Sequence, residues 1–352
     1  MYTVSPARTN YIKKERGAEK TLYPAKIYYE PEALNYESGR MLRKKYSNVE
    51  WIEIENHNSI PEFQNCPNAA FAELKRNLIV GVRKTHRYVP NRKTSDFLVP
   101  YTSSGCSAMC LYCYLVCNFN KCSYLRLFVN REEMLDKLIR TARKSERELT
   151  FEIGSNSDLV LENTVSQNLE WTIERFGRTD RGYITFPTKF SSVGPLLGLG
   201  HNGRVIVRMS VNPEEIVRRV EYGTAPLGER MRALNELCDA GYRVGLIIAP
   251  VVLIKGWEGM YARLVDALYD GLTRKVREAM FIEIIFMTYS YVHRAINAEA
   301  FPNAPDLYDS GRMTGRGRGR YCYRQPVRDE AELFLRQAIH DRFPDTEIVY
   351  VV

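Results

Sequence analysis

Short apolar runs alternate with amphipathic segments through the middle of the chain. The strand-like runs are residues 96–101, 149–154, 183–188, 205–212, 242–252 and 280–287. Between most of them, apolar side chains recur at helical spacing, as in Leu227, Met231, Leu234 and Cys238. Strands that are apolar almost throughout and alternate with helices are typical of a buried parallel sheet. The pattern predicts an α/β fold in which six β-α units form a partial parallel barrel.

The two ends of the chain predict smaller elements. Residues 26–29 and 49–54 have strand patterns and flank a helical pattern over 36–46; near the C-terminus, a Gly/Arg/Tyr hairpin precedes a helical pattern over 328–343 and a strand over 347–352. We therefore expect three parts: an N-terminal α/β element over 1–95, the partial barrel over 96–300, and a C-terminal hairpin, helix and closing strand over 301–352.

Small and polar residues follow the predicted strands at the end where each strand finishes. They are Gly154 to Asp158 after the second strand, Thr188 and Lys189 after the third, Ser210 and Asn212 in the fourth, and Ala249 and Pro250 in the fifth. In parallel barrels the loops at the C-terminal ends of the strands form one functional face. This recurrence predicts a site at that face.

Three cysteines, Cys106, Cys110 and Cys113, follow the first predicted strand, with Tyr112 just before the last. Three thiolates at this spacing can ligate three irons of a [4Fe-4S] cluster and leave the fourth iron open for S-adenosylmethionine. A zinc site completed by Cys117 or Cys122 is the competing interpretation, and disulfide formation is a third. The spacing alone leaves these alternatives open.

Charge and hydropathy limit the classes of protein. The chain has a net charge of +8, and its segment 312–324 has five arginines, two tyrosines and no acidic residue. Basic clusters with interleaved aromatic residues are typical of nucleic-acid contact. The longest apolar stretch, 244–254, is too short to span a bilayer, and no secretory leader is evident at the N-terminus. We expect a cytoplasmic protein without membrane association that uses its cysteines for metal or redox chemistry.

The stretch NLIVGVRKTHRYVPNRKTSDFLVPYTSSGCSAMCLYCYL (77–115) resembles the spore photoproduct lyase family. Further stretches that resemble it are FEIGSNSD (151–158), TKF (188–190), HNG (201–203), AGYRVGLIIAP (240–250), GWEGMY (256–261), YEPEALNYESG (29–39) and the hairpin near 315–323. The resemblance covers nearly the whole chain. It implies a radical S-adenosylmethionine enzyme with a [4Fe-4S] cluster on Cys106, Cys110 and Cys113, which reverses a methylene-bridged thymine dimer in DNA.

The resemblance also implies roles for individual residues. Those that match the family's S-adenosylmethionine contacts are Ser157, Asp158, Lys189, Ser210 and Ala249; those in the hairpin that would contact or wedge DNA are Arg316, Arg318, Arg320, Tyr321 and Tyr323. Tyr112 and Tyr114 match the family's proposed relay tyrosines. The lesion would be extruded from the duplex into the pocket, which costs less for a poorly stacked base. Nothing in the sequence resembles a flavin or ferredoxin domain, so we expect an external one-electron reductant such as flavodoxin or ferredoxin.

The chain departs from the family at the position of the hydrogen-atom donor. Where the family has a cysteine, this chain has Ser155. A serine O–H bond is too strong to quench a carbon radical readily. Two explanations compete: Cys117 supplies the hydrogen atom, or the protein is a diverged paralogue that acts on another DNA lesion or crosslink.

A hypothesis from a different class is a nucleic-acid-binding protein with a structural metal and no radical chemistry, which would be a colourless zinc protein. Three further cysteines, Cys66, Cys122 and Cys322, have no predicted role, and Cys238 lies on an apolar helix face.

Overall fold

The structure, a computed structural model, describes residues 23–118 and 123–352. Its strands are β1 Lys26–Tyr29, β2 Glu50–Glu53, β3 Asn77–Gly81, β4 Val89–Pro90, β5 Phe97–Leu98, β6 Ser103–Ser104, β7 Met109–Cys110, β8 Leu125–Phe128, β9 Thr150–Glu152, β10 Tyr183–Thr188, β11 Val205–Val211, β12 Glu221–Tyr222, β13 Arg243–Val251, β14 Phe281–Phe286, β15 Thr288–Ser290, β16 Met313–Gly315, β17 Arg320–Tyr323 and β18 Ile348–Val351.

The α-helices are α1 Glu37–Lys45, α2 Pro61–Gln64, α3 Phe71–Leu74, α4 Leu115–Asn118, α5 Arg131–Lys144, α6 Leu159–Ser166, α7 Asn168–Phe176, α8 Glu214–Val220, α9 Leu227–Asp239, α10 Trp257–Gly271, α11 Arg274–Ala279, α12 Tyr291–Ala300 and α13 Gln325–Arg342. Short 3-10 helices span Pro31–Asn35, Asn68–Ala70 and Gly194–Leu196. None of the helices in the described part of the chain is both long and apolar enough to cross a membrane.

The largest sheet has the strand order β18-β14-β13-β11-β10-β9-β5-β4. Neighbouring strands are parallel except for β4, which pairs antiparallel with β5. Helices connect most of the parallel strands, because parallel neighbours need a long crossover connection. Because β18 and β4 are the two edges of the sheet, the barrel is open. The prediction of an α/β partial barrel is confirmed, and the C-terminal strand β18 extends it by one parallel strand beside β14.

One continuous core holds the barrel together. Side chains of the strands, such as Phe151 and Val207, pack with helix side chains such as Leu138 and Ile173, and all four are fully buried. Burial of one such side chain stabilises the folded state by roughly 1.5–3 kcal/mol. This core fixes the strand ends that carry the site.

A second sheet, β2-β1-β3-β8-β6, forms the N-terminal element. Its strands β6 and β8 come from the two sides of the cysteine segment and pair antiparallel with each other. The N-terminal sheet therefore crosses the boundary that we predicted at residue 95. Strand β5 is shorter than the predicted run over 96–101, because the chain leaves the barrel sheet after Leu98 and joins this second sheet at Ser103.

The basic C-terminal segment is a structured hairpin. Strands β15, β17 and β16 form an antiparallel sheet of three strands. At the hairpin tip, Gly317, Arg318 and Gly319 all have positive φ angles of 82°, 51° and 68°. Glycine adopts this conformation without a steric penalty, which accounts for Gly317 and Gly319 but not for Arg318 between them. A Cβ atom at position 319 would also lie only 2.2 Å from the ring of Tyr291.

Candidate active site

The cysteine segment begins at a turn that only glycine fits. Gly105 has a φ angle of +80°, and a Cβ atom there would lie 2.0 Å from the carbonyl oxygen of Tyr124. The Gly105 N–H donates to the carbonyl of Asn156, at 2.8 Å, and the Cys106 N–H donates to that of Ser123, at 3.0 Å. These bonds fix the cysteine segment between the N-terminal sheet and the loop after β9.

The three predicted cluster ligands lie on one short loop. Cys106 is buried, and Cys110 and Cys113 are partly exposed. The Cys113 N–H donates to the Cys110 carbonyl, at 3.1 Å. Cys110 also lies opposite Glu221 in the antiparallel pair of β7 and β12. Burial raises the pKa of the Cys106 thiol to about 12 and that of the Cys110 thiol well above its usual range.

A cavity of about 490 Å³ joins this loop to the C-terminal ends of the barrel strands. Among the residues that line it are Cys106, Cys110, Cys113, Tyr112, Tyr114, Ser155, Ser157, Asp158, Lys189, Ser210 and Ala249. The structure therefore brings the predicted cluster ligands and the predicted S-adenosylmethionine contacts to one cavity. In the described part of the chain, no group of three or more His, Cys, Asp or Glu side chains is arranged to hold a metal ion as it stands.

Lys189 makes three polar contacts across the strand ends. Its Nζ atom donates to Ser210 Oγ at 2.9 Å, to the Ala249 carbonyl at 2.8 Å and to Glu221 Oε1 at 2.8 Å. Ser210 Oγ also donates to the Ala249 carbonyl, at 3.1 Å. These bonds link the ends of β10, β11 and β13 at the wall of the cavity.

Glu221 is a buried carboxylate that accepts hydrogen bonds from several side chains. The hydroxyl of Tyr112 donates to it, and Asn212 Nδ2 donates at 2.8 Å. Arg230 Nη2 lies 2.6 Å from its other oxygen. Burial by itself raises the pKa of Glu221, but the positive charges of Lys189 and Arg230 outweigh it and hold the pKa well below its usual range. Burial and the Glu221 charge together raise the pKa of Tyr112 well above its usual range.

We expect Arg230→Met to destabilise the protein by about 3–5 kcal/mol, because breaking a buried ion pair leaves an uncompensated buried charge. Arg230 is fully buried and also donates to the Ser210 carbonyl, at 2.9 Å. Chemical denaturation measures the loss. The matched control is Arg263→Met, whose partner Glu215 forms an exposed ion pair of 2.7 Å, worth at most about 1 kcal/mol. Equal losses in the two variants would contradict the prediction.

Asp158 and Ser157 differ in how their side chains are used. Asp158 caps α6, since its Oδ1 accepts from the N–H groups of Val160 and Leu161. It also accepts from Thr188 Oγ1 and from the Lys189 N–H, both at 2.8 Å. Ser157 Oγ, in contrast, is buried and has no hydrogen-bond partner among the described residues. A buried hydroxyl without a partner is uncommon in folded proteins and fits a site that a ligand completes.

Ser155, at the predicted donor position, lines the cavity beside Tyr114. The Tyr114 hydroxyl donates to the carbonyl oxygen of Ser155. The side chain of Tyr114 is half-exposed, with an accessible fraction of 52%. It lines both this cavity and a second one.

The second cavity, of about 640 Å³, contains Cys117. Cys117 Sγ lies 3.3 Å from Ser290 Oγ and 3.9 Å from His293 Nε2. His293 Nε2 lies 3.0 Å from the Cys113 carbonyl, and its Nδ1 lies 2.8 Å from Ser290 Oγ. The hairpin residues Arg316, Arg318 and Arg320 also line this cavity.

Comparison with known proteins agrees with this arrangement. A family model described as "Spore photoproduct lyase" matches residues 22–352. A spore photoproduct lyase from Bacillus subtilis (strain 168) is 32% identical over 336 residues, which are 93% of this chain and 98% of that protein. The chain belongs to the spore photoproduct lyase family. A second relative, from Geobacillus sp. (strain Y412MC61), is 30% identical and covers 94% of this chain and 99% of its own length.

Solved spore photoproduct lyase structures share the fold. A mutant spore photoproduct lyase with bound AdoMet and dinucleoside spore photoproduct has a TM-score of 0.88 and 27% identity, with 95% of this chain and 100% of that chain covered. Another, complexed with dinucleoside spore photoproduct, has a TM-score of 0.86 and the same identity and coverage. These ligands belong to those structures.

One hairpin residue does not lie where the sequence analysis expected it. Tyr323 is buried, with an accessible fraction of 5%, and its hydroxyl oxygen accepts from the Leu253 N–H at 2.8 Å. It therefore packs in the core and cannot contact DNA in this conformation. Tyr321 is partly buried against the core and stacks edge-on with Tyr308. Arg316, Arg318 and Arg320 are exposed.

Sequence reasoning missed four residues of the site. Glu221 and Arg230 have no motif around them, and Ser290 and His293 follow the sixth barrel strand without a recognisable pattern. All four reach the site through long-range contacts, such as the pairing of β12 with β7. One predicted position, Cys122, falls outside the described residues.

Proposed function

We propose that this chain is a radical S-adenosylmethionine DNA-repair lyase that reverses the methylene-bridged thymine dimer, spore photoproduct, to two thymines. The observation that carries the proposal is the single cavity lined by the three cysteines and by every residue that matches an S-adenosylmethionine contact. It lies at the C-terminal ends of parallel strands, where barrel enzymes place their chemistry.

The donor set fits the cofactors. Cys106, Cys110 and Cys113 would ligate three irons of a [4Fe-4S] cluster, and bound cations favour the thiolate form that burial alone opposes. Ser157 Oγ, Lys189, Ser210 and the Ala249 carbonyl would bind S-adenosylmethionine, and Asp158 would position the loop by capping α6. When bound and reduced by an external one-electron donor, such as flavodoxin or ferredoxin, these groups supply the adenosyl radical that removes hydrogen from C6 of the dimer.

The hairpin would bind the DNA around the lesion. Arg316, Arg318 and Arg320 are exposed, while other arginines nearby form ion pairs, such as Arg312 with Asp309 and Arg294 with Asp306. Within residues 23–118 and 123–352, none of these three guanidinium groups has a carboxylate at ion-pair distance, which suits phosphate contact. Because these arginines line the cavity beside Tyr114, a flipped lesion would enter next to the cysteine loop.

Cys117 would supply the hydrogen atom that Ser155 cannot. Since the Cys113 carbonyl only accepts, His293 Nε2 carries a proton, and burial, which lowers the pKa of His293, keeps the ring neutral. His293 Nδ1 then accepts from the Ser290 hydroxyl, which leaves the Ser290 oxygen to accept from the Cys117 S–H. This network holds Cys117 as a thiol.

The hydrogen balance of this step is complete. The S–H bond of Cys117 breaks homolytically, its hydrogen forms the C–H bond that quenches the thymine radical, and a thiyl radical remains. The hydrogen atom taken from C6 would reside in the 5′-methyl group of 5′-deoxyadenosine. A C–H bond of that group would break and return a hydrogen atom to this sulfur through the O–H groups of Tyr112 and Tyr114, which restores the adenosyl radical and so S-adenosylmethionine. No net oxidant or reductant is consumed in the turnover.

The deciding experiment is anaerobic incubation of the reconstituted protein with dinucleoside spore photoproduct, S-adenosylmethionine and dithionite. We expect release of thymidine without stoichiometric loss of S-adenosylmethionine. The absence of a thiol at Ser155 favours one alternative, a diverged paralogue for another DNA lesion, which would form 5′-deoxyadenosine but release no thymidine. A colourless zinc protein would indicate a non-catalytic nucleic-acid-binding protein.

A further inference from the structure

Lys75, just after α3, places a buried ammonium group against the cysteine loop. Its accessible fraction is 3%. Its Nζ atom donates to the Cys106 carbonyl at 2.7 Å, to Ser123 Oγ at 2.9 Å and to the Ser123 carbonyl at 3.2 Å. An ammonium has three N–H donors, so these three oxygens account for all of them.

All three acceptors of Lys75 are neutral. Several cations near the site lie against carboxylates: Lys189 and Arg230 against Glu221, and Arg208 against Glu152 and Glu283. Buried Arg126, in contrast, donates to the neutral oxygens Ser104 Oγ and Asn58 Oδ1, both at 3.0 Å. For Lys75, no carboxylate in the described residues lies at ion-pair distance, and its Nζ atom lies 5.2 Å from the centroid of the Phe71 ring. Removal of a cation from water is unfavourable unless opposite charge compensates it.

We infer that Lys75 sets the reduction potential of the iron–sulfur cluster by placing an uncompensated positive charge behind its Cys106 ligand. The inference rests on the proposed function, because it requires that the cluster be bound. A cluster with three thiolate ligands is anionic and gains a further negative charge on reduction. Net charge and hydrogen bonding near a cluster are among the factors that set its potential. A fixed cation stabilises the reduced state more than the oxidised state, so Lys75 makes the cluster easier to reduce.

The test is the midpoint potential of the reconstituted cluster, measured by an anaerobic redox titration followed by electron paramagnetic resonance. For Lys75→Gln, which keeps a donor but removes the charge, we expect the equilibrium constant for reduction to fall at least about tenfold, a shift of about 59 mV for a one-electron couple. Lys75→Arg keeps the charge and should restore a potential near that of the wild type. If the hydrogen bonds of Lys75 only stabilised the fold, the Lys75→Gln variant would have a lower melting temperature but an unchanged midpoint potential.

The matched control is Lys45→Gln. Lys45 Nζ also donates to two backbone carbonyls, those of Thr164 and Val165, at 3.0 and 2.8 Å, but not on the cysteine loop. The variant loses the same charge and should leave the potential unchanged.

A second pair of variants keeps the inference testable where Lys75→Gln does not fold. Ser123→Asp places a carboxylate beside the ammonium, and Asp tolerates the φ angle of 47° at this position. It should lower the potential as Lys75→Gln does, whereas Ser123→Asn, its neutral counterpart, should not. A wild-type potential in both Lys75→Gln and Ser123→Asp would overturn the inference, whereas a wild-type protein that binds no cluster would overturn the proposed function instead.

Discussion

Replacing Cys110 with alanine is expected to abolish lesion reversal, to the level of a protein-free control. Three cysteines can ligate only three irons, so the loss of one leaves two irons without a protein ligand. Cys110 lies on β7, where its strand partner is Glu221. None of the other described cysteines occupies that position in the strand pair, so none can replace Cys110 as a ligand there. Iron and sulfide content, the brown colour after anaerobic reconstitution and thymidine release should fall together.

Cys238→Ala is the matched control. Cys238 is also buried, with an accessible fraction of 3%, but it lies on α9 in the core and does not line the cavity. A buried free cysteine of this kind acts as a small apolar side chain. The variant should keep its iron and its activity. Full iron content in Cys110→Ala would show that the cysteine loop does not hold the cluster.

The second large effect is expected from Cys117→Ala. With the thiol removed, the reaction would still start, but the thymine radical would lack its hydrogen donor. We expect thymidine release to fall at least about tenfold relative to 5′-deoxyadenosine formation. This is equivalent to an increase of about 1.4 kcal/mol in the activation free energy of the hydrogen-transfer step. Because a thiol hydrogen exchanges with solvent, wild-type protein in deuterated water should label the product, and the variant should not.

A double variant provides the stricter comparison. Ser155→Cys introduces a thiol at the position that we predicted for the hydrogen donor from the family resemblance; Ser155 and Tyr114 both line the first cavity. In the Cys117→Ala background it should restore thymidine release and solvent labelling. Cys66→Ala is the control, since the Cys66 thiol donates to the Glu62 carbonyl and lies outside both cavities. Unchanged clean turnover in Cys117→Ala would remove Cys117 from the mechanism.

Local periodicity predicted the elements whose stability comes from their own burial pattern. The run over 242–252 became β13, Arg243–Val251, and the helical pattern over 328–343 became α13, Gln325–Arg342. The helix starts three residues earlier than predicted, because a proline in its first turn lacks only an N–H that would have no intrahelical partner there. In such elements the apolar spacing alone specifies the buried face.

The sequence by itself determined the family, the α/β partial barrel, the three cysteines and the end of the sheet where they lie. Only the tertiary structure decided that Glu221 and Arg230 support Lys189, that Tyr323 belongs to the core, and that Cys117 shares a cavity with Ser290, His293 and the hairpin arginines. The physical reason is that these contacts join residues far apart in the chain. Their geometry depends on strand pairing and on packing between elements, which the spacing of neighbouring residues does not specify. A motif and a strand period, in contrast, are formed by residues close together in the chain and can be recognised from the sequence.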